Sequence, residues 1–388
     1  MRKKPAPVLL FFSLGVIVFF SFLYLPRVWR SALMLSELMR FESRGWLTTR
    51  TLPPKIKEFS YHGPGGPVMA DLYLPQPERK RAGILLNHGV VDTGKDDSRL
   101  KRFAEILCRS GYVVFVPDFR GMRSFRISPS DIGEIQAAFE NLIAMQEHVL
   151  PQSCGLFGFS YGAGPTISAS CRPSIRHRVR FVVSFGGYYD LKNVLSFLAT
   201  GQFQFQGKNY FRKPQEYGKW VFLANNLDLV QAKEDRPILR EILKVKLRDE
   251  RAPIDRYLPQ LGAEGRNILA LLFHSDPSQT ESLIRKLPAP IRATMDALSV
   301  APVLPLLKAD LILAHGEDDD LIPFTETLRL ARAAPDSSRV YVQLLKSFTH
   351  VDPDSRPWNV QNLISFYLPE GWKLFGLVHR LMKYCQEL

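Results

Sequence analysis

From residue 53 onward the hydrophobic pattern switches repeatedly between two periods. "KIKEFSY" (55–61) and "PVMADLYLP" (67–75) alternate at every second residue and are split by the turn signal "HGPGG", which predicts an antiparallel pair. "AGILLNHG" (82–89) and "YVVFVPD" (112–118) are unbroken apolar runs, as expected of strands buried on both faces. Between them Leu100, Phe103, Ile106 and Leu107 recur at helical spacing, and Gly111 supplies the stop. An amphipathic helix follows over 130–148, with Ile132, Ile135, Phe139, Leu142 and Ile143 on one face and Ser130 or Asp131 as cap. Then come strand "SCGLFGF", helix 161–171 and strand "RFVVSFGG" (180–187). After a long interval the pattern resumes with strand "ADLILAHG" (309–316), helix 324–334, strand "RVYVQLL" (339–345) and a helical C-terminal region. This alternation predicts an α/β fold, a mainly parallel sheet with helices on both faces.

Residues 191–308 break the rhythm and are too long for a loop. They predict a helical cap inserted between two core strands. Its first part is dense in aromatics, including Phe197, Phe203, Phe205, Tyr210, Trp220 and Phe222. Packing of the cap is the plainer role for them; a lipid-facing or acyl-binding wall is the functional alternative.

The N-terminus changes the picture. Residues 7–26, "PVLLFFSLGVIVFFSFLYLP", carry no charge and are long enough for a bilayer core of about 30 Å. Arg2, Lys3 and Lys4 precede the run, and "SFLYLPRVW" offers no small-x-small cleavage site. The expectation is an uncleaved single-pass transmembrane anchor in contact with membrane lipid, with the main domain on the extracytoplasmic side. The expected division is then anchor 7–26, linker 27–52, core 53–190, cap 191–308 and core 309–388.

Of the 388 residues 46% are hydrophobic, which excludes a disordered chain. The net charge of +13 raises the question of an anionic partner, but Lys and Arg are spread along the whole chain. No basic arm or recognition helix stands out, so no nucleic-acid partner is predicted; anionic lipid and a merely basic surface remain. Cys108, Cys154, Cys171 and Cys385 lack metal-ligand spacing and read as free thiols. Metal motifs are absent as well, so neither a metal nor a cofactor is predicted. "GVVDTGKD" (89–96) resembles a phosphate-binding loop, but Asp96 stands where magnesium needs Ser or Thr.

The chemistry gathers at strand ends. "GFSYG", Gly158 to Gly162, closes one apolar strand and opens a helix, the setting in which G-x-S-x-G exposes a serine nucleophile. A serine needs a base, and the base an orienting acid. Downstream, the strand over 309–316 ends in the acidic turn Glu317-Asp318-Asp319-Asp320, and His350 follows the next strand. Each group lies at a C-terminal strand end, where sites of open α/β sheets collect.

With "LLNHG", "FVPDFRG", "GFSYG", "HGEDDDLIP" and "FTH" in place, the chain resembles the α/β-hydrolase superfamily over about residues 53–388. Within it the layout is similar to the dienelactone hydrolase and prolyl-oligopeptidase-like esterase branch. The resemblance implies Ser160 as nucleophile, His350 as base and Asp319 as acid, with Asp318 and Asp320 as alternatives in the same turn. It also implies the backbone N–H groups of Tyr161 and Val90 as oxyanion donors. His88 and His315, in the family's "HG" pairs, would be structural. Asp118 and Arg120 of "PDFRG" are expected to fix their loop, with contact to an anionic substrate as the alternative for Arg120. The function implied is a membrane-anchored serine hydrolase acting on a small carboxylic ester or related acyl compound. A peptidase, an acyltransferase and a catalytically silent scaffold are the alternatives.

Overall fold

The computed structural model describes residues 25–40, 43, 45–350, 356–357 and 359–385. Ten strands occur among them: β1 (Lys55–Gly63), β2 (Gly66–Leu74), β3 (Gly83–Asn87), β4 (Val113–Pro117), β5 (Gly155–Phe159), β6 (Phe181–Phe185), β7 (Gln202–Phe205), β8 (Lys208–Phe211), β9 (Asp310–Gly316) and β10 (Val340–Leu345). Eight form one sheet in the order β1-β2-β4-β3-β5-β6-β9-β10. β2 pairs antiparallel with β1 and β4; every other pairing in this sheet is parallel. The unbroken apolar runs explain the packing. Along β4, Val113 and Phe115 face one hydrophobic core while Val114 and Val116 face another. Leu311 and Leu313 divide from Ile312 in the same way on β9. Alternation on the pleat thus gives each sheet face its own apolar layer, and helices cover both.

From β3 the chain passes to β4 on one side, and later to β5 on the other. The order of strands therefore reverses direction at β3, and a crevice opens beyond the C-terminal ends of β3 and β5. "LLNHG" and "GFSYG" lie at that point.

Between β6 and β9 the chain forms the helices Leu191–Thr200, Glu216–Asn225, Asp235–Arg248, Ala263–Phe273 and Ala289–Leu298, with shorter turns between them. Trp220, Leu239, Ile242, Leu269 and Ile284 form a third core, separate from the two on the sheet. Trp220 is fully buried beside Phe273, with the Lys219 and Lys246 ammonium groups each 5.7 Å from its ring centroid. It is a packing residue. The hairpin β7–β8 is an element that the helical expectation for 191–308 does not include. Its signal was present: "QFQF" and "KNYF" alternate around Gln206-Gly207, and both turn residues have positive φ (51° and 78°). Phe203 stacks on Tyr210 and meets Phe324 edge-on, which fastens the hairpin to the segment after β9.

The N-terminal expectation needs correction. Residues 7–24 of the supposed anchor lie outside the described residues. Among the described residues no helix is long and apolar enough to cross a membrane. The membrane-anchored fold class, the lipid contact and the single-pass, extracytoplasmic localisation are therefore not features of this structure. Nor is the stretch after the run a plain linker. Residues 25–38 are helical, and Leu33 and Met34 enter the sheet's core. Arg27 donates to the His379 carbonyl. The buried Glu37 carboxylate accepts from Gly45 N–H and from Thr48 and pairs with Arg102. Its polar groups are thus committed to protein partners.

Glu326 ties the start of the insertion to the core. It lies in the helix Thr325–Ala333, wholly buried. Its Oε2 accepts from the N–H groups of Tyr189 (3.1 Å) and Asp190 (2.8 Å), and its Oε1 from Asn193 (2.9 Å). Burial pushes this carboxyl up to about 7 despite those donors. Asp131 is raised to about 6, also by burial. Both folded values exceed the ordinary ones, so the folded chain holds these protons more tightly than the unfolded chain. The stability they contribute is present below about pH 4 and is lost as pH rises through 6 to 7. These two carboxyls therefore contribute ~1–3 kcal/mol less at about pH 7.5 than at about pH 5.5, a downward slope that chemical denaturation reads against the opposing rise from His88 and His379, whose pKa values burial lowers. Glu326→Gln should flatten that slope; an unchanged slope would exclude Glu326 as its source.

Candidate active site

Ser160 lies where β5 passes into a tight helical turn, Ser160–Gly162, that runs on as the helix Ala163–Ser170. Its φ is +51°, a strained value for a non-glycine residue, and it lifts the side chain out of the turn. The turn closes only because its flanks are small. A Cβ on Gly162 would stand 2.9 Å from both Asn87 Nδ2 and Gly89 Cα. The loop after β3 therefore packs backbone to backbone against the serine turn. Buried Asn87, which sequence reasoning missed, locks the two together: its Nδ2 donates to Gly162 O and Thr166 Oγ1 (both 3.1 Å), and its Oδ1 accepts from Gly89 N–H (3.3 Å). Val90 thereby follows directly on the segment against Ser160. Tyr161 N–H belongs to the first turn of a helix, where N–H groups lack an intrahelical acceptor.

The structure brings His350 and Asp319 to this serine. His350 Nε2 is 2.6 Å from Ser160 Oγ, and His350 Nδ1 is 2.6 Å from Asp319 Oδ2. Asp319 Oδ1 accepts from the N–H groups of Leu321 (2.9 Å) and Ile322 (2.8 Å). Asp319 is 2% exposed and His350 9%. Burial alone would raise the Asp319 carboxyl. The facing His350 and the hydrogen bonds from His315 and His350 outweigh it and hold the group well below the usual carboxylate range.

Two supports fix His350. Gly316 lets its loop cross the end of β9, since a Cβ there would overlap Thr349 O at 1.8 Å. Glu370, on the C-terminal helix Leu368–Leu381, accepts from Lys346 N–H (2.8 Å) and Ser347 N–H (3.1 Å). Nothing in the local sequence ties Glu370 to His350, because the chain returns to this loop only through tertiary packing.

The other acids of the turn point elsewhere. Asp318 pairs with Arg212 of the insertion. Asp320 is half-buried, and burial together with the adjacent Asp319 charge raises its carboxyl. His88 is buried, donates from Nδ1 to Gly89 O (2.7 Å) and accepts Phe119 N–H at Nε2 (3.1 Å). Both ring nitrogens are engaged in holding the loop after β3, and burial lowers its pKa. Tyr161 turns its side chain away from the site, and its hydroxyl donates to Asp131 (2.7 Å). Asp118 accepts from Lys95 N–H and pairs with Arg123, as a loop-fixing residue does. Exposed Arg120 lines a cavity of about 540 Å³ with Met69, Asp92, Asp118, Arg123 and Ser124. The lysine of the near-miss phosphate loop, Lys95, is bound to Asp71 at 2.9 Å, both largely buried, and so is not presented to a nucleotide.

No protein-family model matches the chain, and no curated protein is similar to it in sequence. Solved structures do match. The acylaminoacyl peptidase of Pyrococcus horikoshii, in its orthorhombic form, superposes with a TM-score of 0.50 at 12% identity, over 88% of this chain and 43% of that one. A 2,6-dihydroxy-pseudo-oxynicotine hydrolase gives 0.47 at 14% identity, over 84% and 68%. A thermophilic carboxylesterase cloned from a metagenomic library gives 0.46 at 14% identity, over 91% and 96%. The chain thus spans less than half the length of the peptidase, and identity this low speaks to the fold alone.

Proposed function

We propose that this chain, an α/β-hydrolase by fold, is a serine hydrolase that cleaves a carboxylic ester or a related acyl bond. The observation that carries the reading is the unbroken chain Ser160–His350–Asp319, with two contacts of 2.6 Å, at a positive-φ turn above the strand C-termini. Ser160 Oγ attacks the acyl carbon while its proton passes to His350 Nε2. Asp319 holds Nδ1–H, so that Nε2 is the free, accepting nitrogen, and it stabilises the imidazolium that forms. The N–H groups of Val90 and Tyr161 receive the oxyanion. Collapse of the tetrahedral intermediate expels the alcohol, which takes the proton from His350 and leaves Ser160 acylated. Water, deprotonated by the same imidazole, then releases the acid and restores Ser160. Every step is carried by protein groups and water.

The test is covalent capture. A fluorophosphonate probe incubated with the full chain should label a single serine, and peptide mass spectrometry should place the adduct on Ser160. Labelling elsewhere, or none, would refute the reading. p-Nitrophenyl esters of graded chain length beside aminoacyl p-nitroanilides would then separate esterase from peptidase action by the ratio of kcat/KM values.

A further inference from the structure

We infer that His315 is a positioning residue for the triad carboxylate: its Nε2–H shares the Asp319 oxygen that faces His350, and so tempers the hold of that carboxylate on the His350 proton. The inference rests on the roles proposed for Ser160, His350 and Asp319. His315 is the penultimate residue of β9 and is fully buried. Its Nε2 lies 2.9 Å from Ile322 O and 3.1 Å from Asp319 Oδ2. A carbonyl and a carboxylate only accept, so Nε2 bears a proton whichever form the ring takes. At the other end of the ring, Nδ1 lies 2.7 Å from Thr327 Oγ1. The ring is thus fixed on both sides, with its N–H aimed at the turn that carries the acid.

Asp319 Oδ2 therefore serves two imidazoles, His350 at 2.6 Å and His315 at 3.1 Å, while Oδ1 serves the two backbone N–H groups. A buried carboxylate with no second imidazole would concentrate its charge on His350. That would favour the imidazolium and leave less of the neutral ring to take the Ser160 proton. A second donor stabilises the carboxylate by itself and moves the balance back toward neutral His350. Among the described residues, the charged and titratable groups around the pair include His315 from β9, Asp320 on the same turn, and the Arg212–Asp318 ion pair reaching in from the insertion. Of these, His315 is the one whose ring N–H comes within 3.1 Å of an Asp319 oxygen. A residue that only filled space would serve equally well with any side chain of similar size, and this difference makes the inference testable.

The experiment follows the rate of fluorophosphonate labelling of Ser160 from about pH 5 to pH 9, in the full chain and in His315→Leu, His315→Gln and Thr327→Val. In His315→Leu, the acid limb of the profile should move up by about half a unit to one unit, so that labelling on that limb falls by about 3- to 10-fold while the alkaline plateau changes little. His315→Gln keeps an N–H close to the position of Nε2 and should recover most of the rate and the limb. Thr327→Val frees the ring and should shift the limb in the same direction by less. Wild-type behaviour in His315→Leu, or equal loss in Leu and Gln with an unmoved limb, would overturn the inference. Should His315→Leu fail to fold by circular dichroism, Thr327→Val decides, and an unmoved limb there overturns it. Failure of the wild-type chain itself to label would instead remove the hydrolase reading.

Discussion

Ser160→Ala should lower acyl hydrolysis by on the order of 10⁴-fold or more and abolish fluorophosphonate labelling, while leaving the melting temperature within a few degrees of wild type. The expectation follows from contact rather than from motif. Ser160 Oγ is 2.6 Å from the only nitrogen of His350 not facing Asp319, so its loss removes the nucleophile and leaves the base without a proton to take. His350→Ala should cost about as much, and the double variant hardly more, because the two residues act in one step and their effects do not add. Steady-state kinetics on whichever ester the wild type turns over fastest would measure this. Turnover at the wild-type rate in Ser160→Ala would show that the serine turn is architecture alone.

Asp319→Asn should lower kcat by roughly 10³–10⁴-fold with little change in KM. An amide in place of Oδ2 presents N–H to His350 Nδ1 and favours the tautomer whose proton sits on Nε2, where it blocks acceptance from Ser160. The neighbouring acids supply the control. Asp318→Asn loosens an ion pair with Arg212, and Asp320→Asn changes a half-buried group off the line of contact. Each should cost about 10-fold or less. A mild Asp319→Asn beside a severe loss at Asp318 or Asp320 would move the acid within the turn and contradict the geometry.

The two site predictions differ in how much of their basis the sequence displays. For Ser160 the local pattern is almost sufficient, because a buried strand, two small flanking residues and a helix start lie within a dozen positions. For the acid it is not. Three aspartates in succession have the same chemistry, and resemblance favours Asp319 without contact. Only the backbone of the turn aims one of them at His350, sends another to Arg212 and leaves the third at the edge. Asn87, Glu326 and Glu370 were invisible for a related reason: each bonds backbone groups far away in sequence, and a lone polar residue has no periodicity to betray its partner.

The N-terminus shows the opposite failure. The apolar run over 7–26 is a strong local signal, and the stretch after it reads as a mere linker. In the described residues that stretch is a helix carrying Leu33 and Met34 into the core, with Arg27 and Glu37 bonded to protein. Hydropathy counts side chains and takes no account of what a neighbouring helix or sheet offers them.

By itself the sequence determined the succession of strands and helices, since burial on two faces demands unbroken apolar runs and amphipathic helices demand a period near 3.6. It also determined the order in which serine, acid and histidine leave their strands. Tertiary structure decided the rest: the crevice at β3 and β5 that gathers those strand ends, the carboxylate that meets His350, and the second imidazole on it. Local pattern records whether a residue is buried, whereas which groups are buried together depends on chain segments that meet only once the sheet has formed.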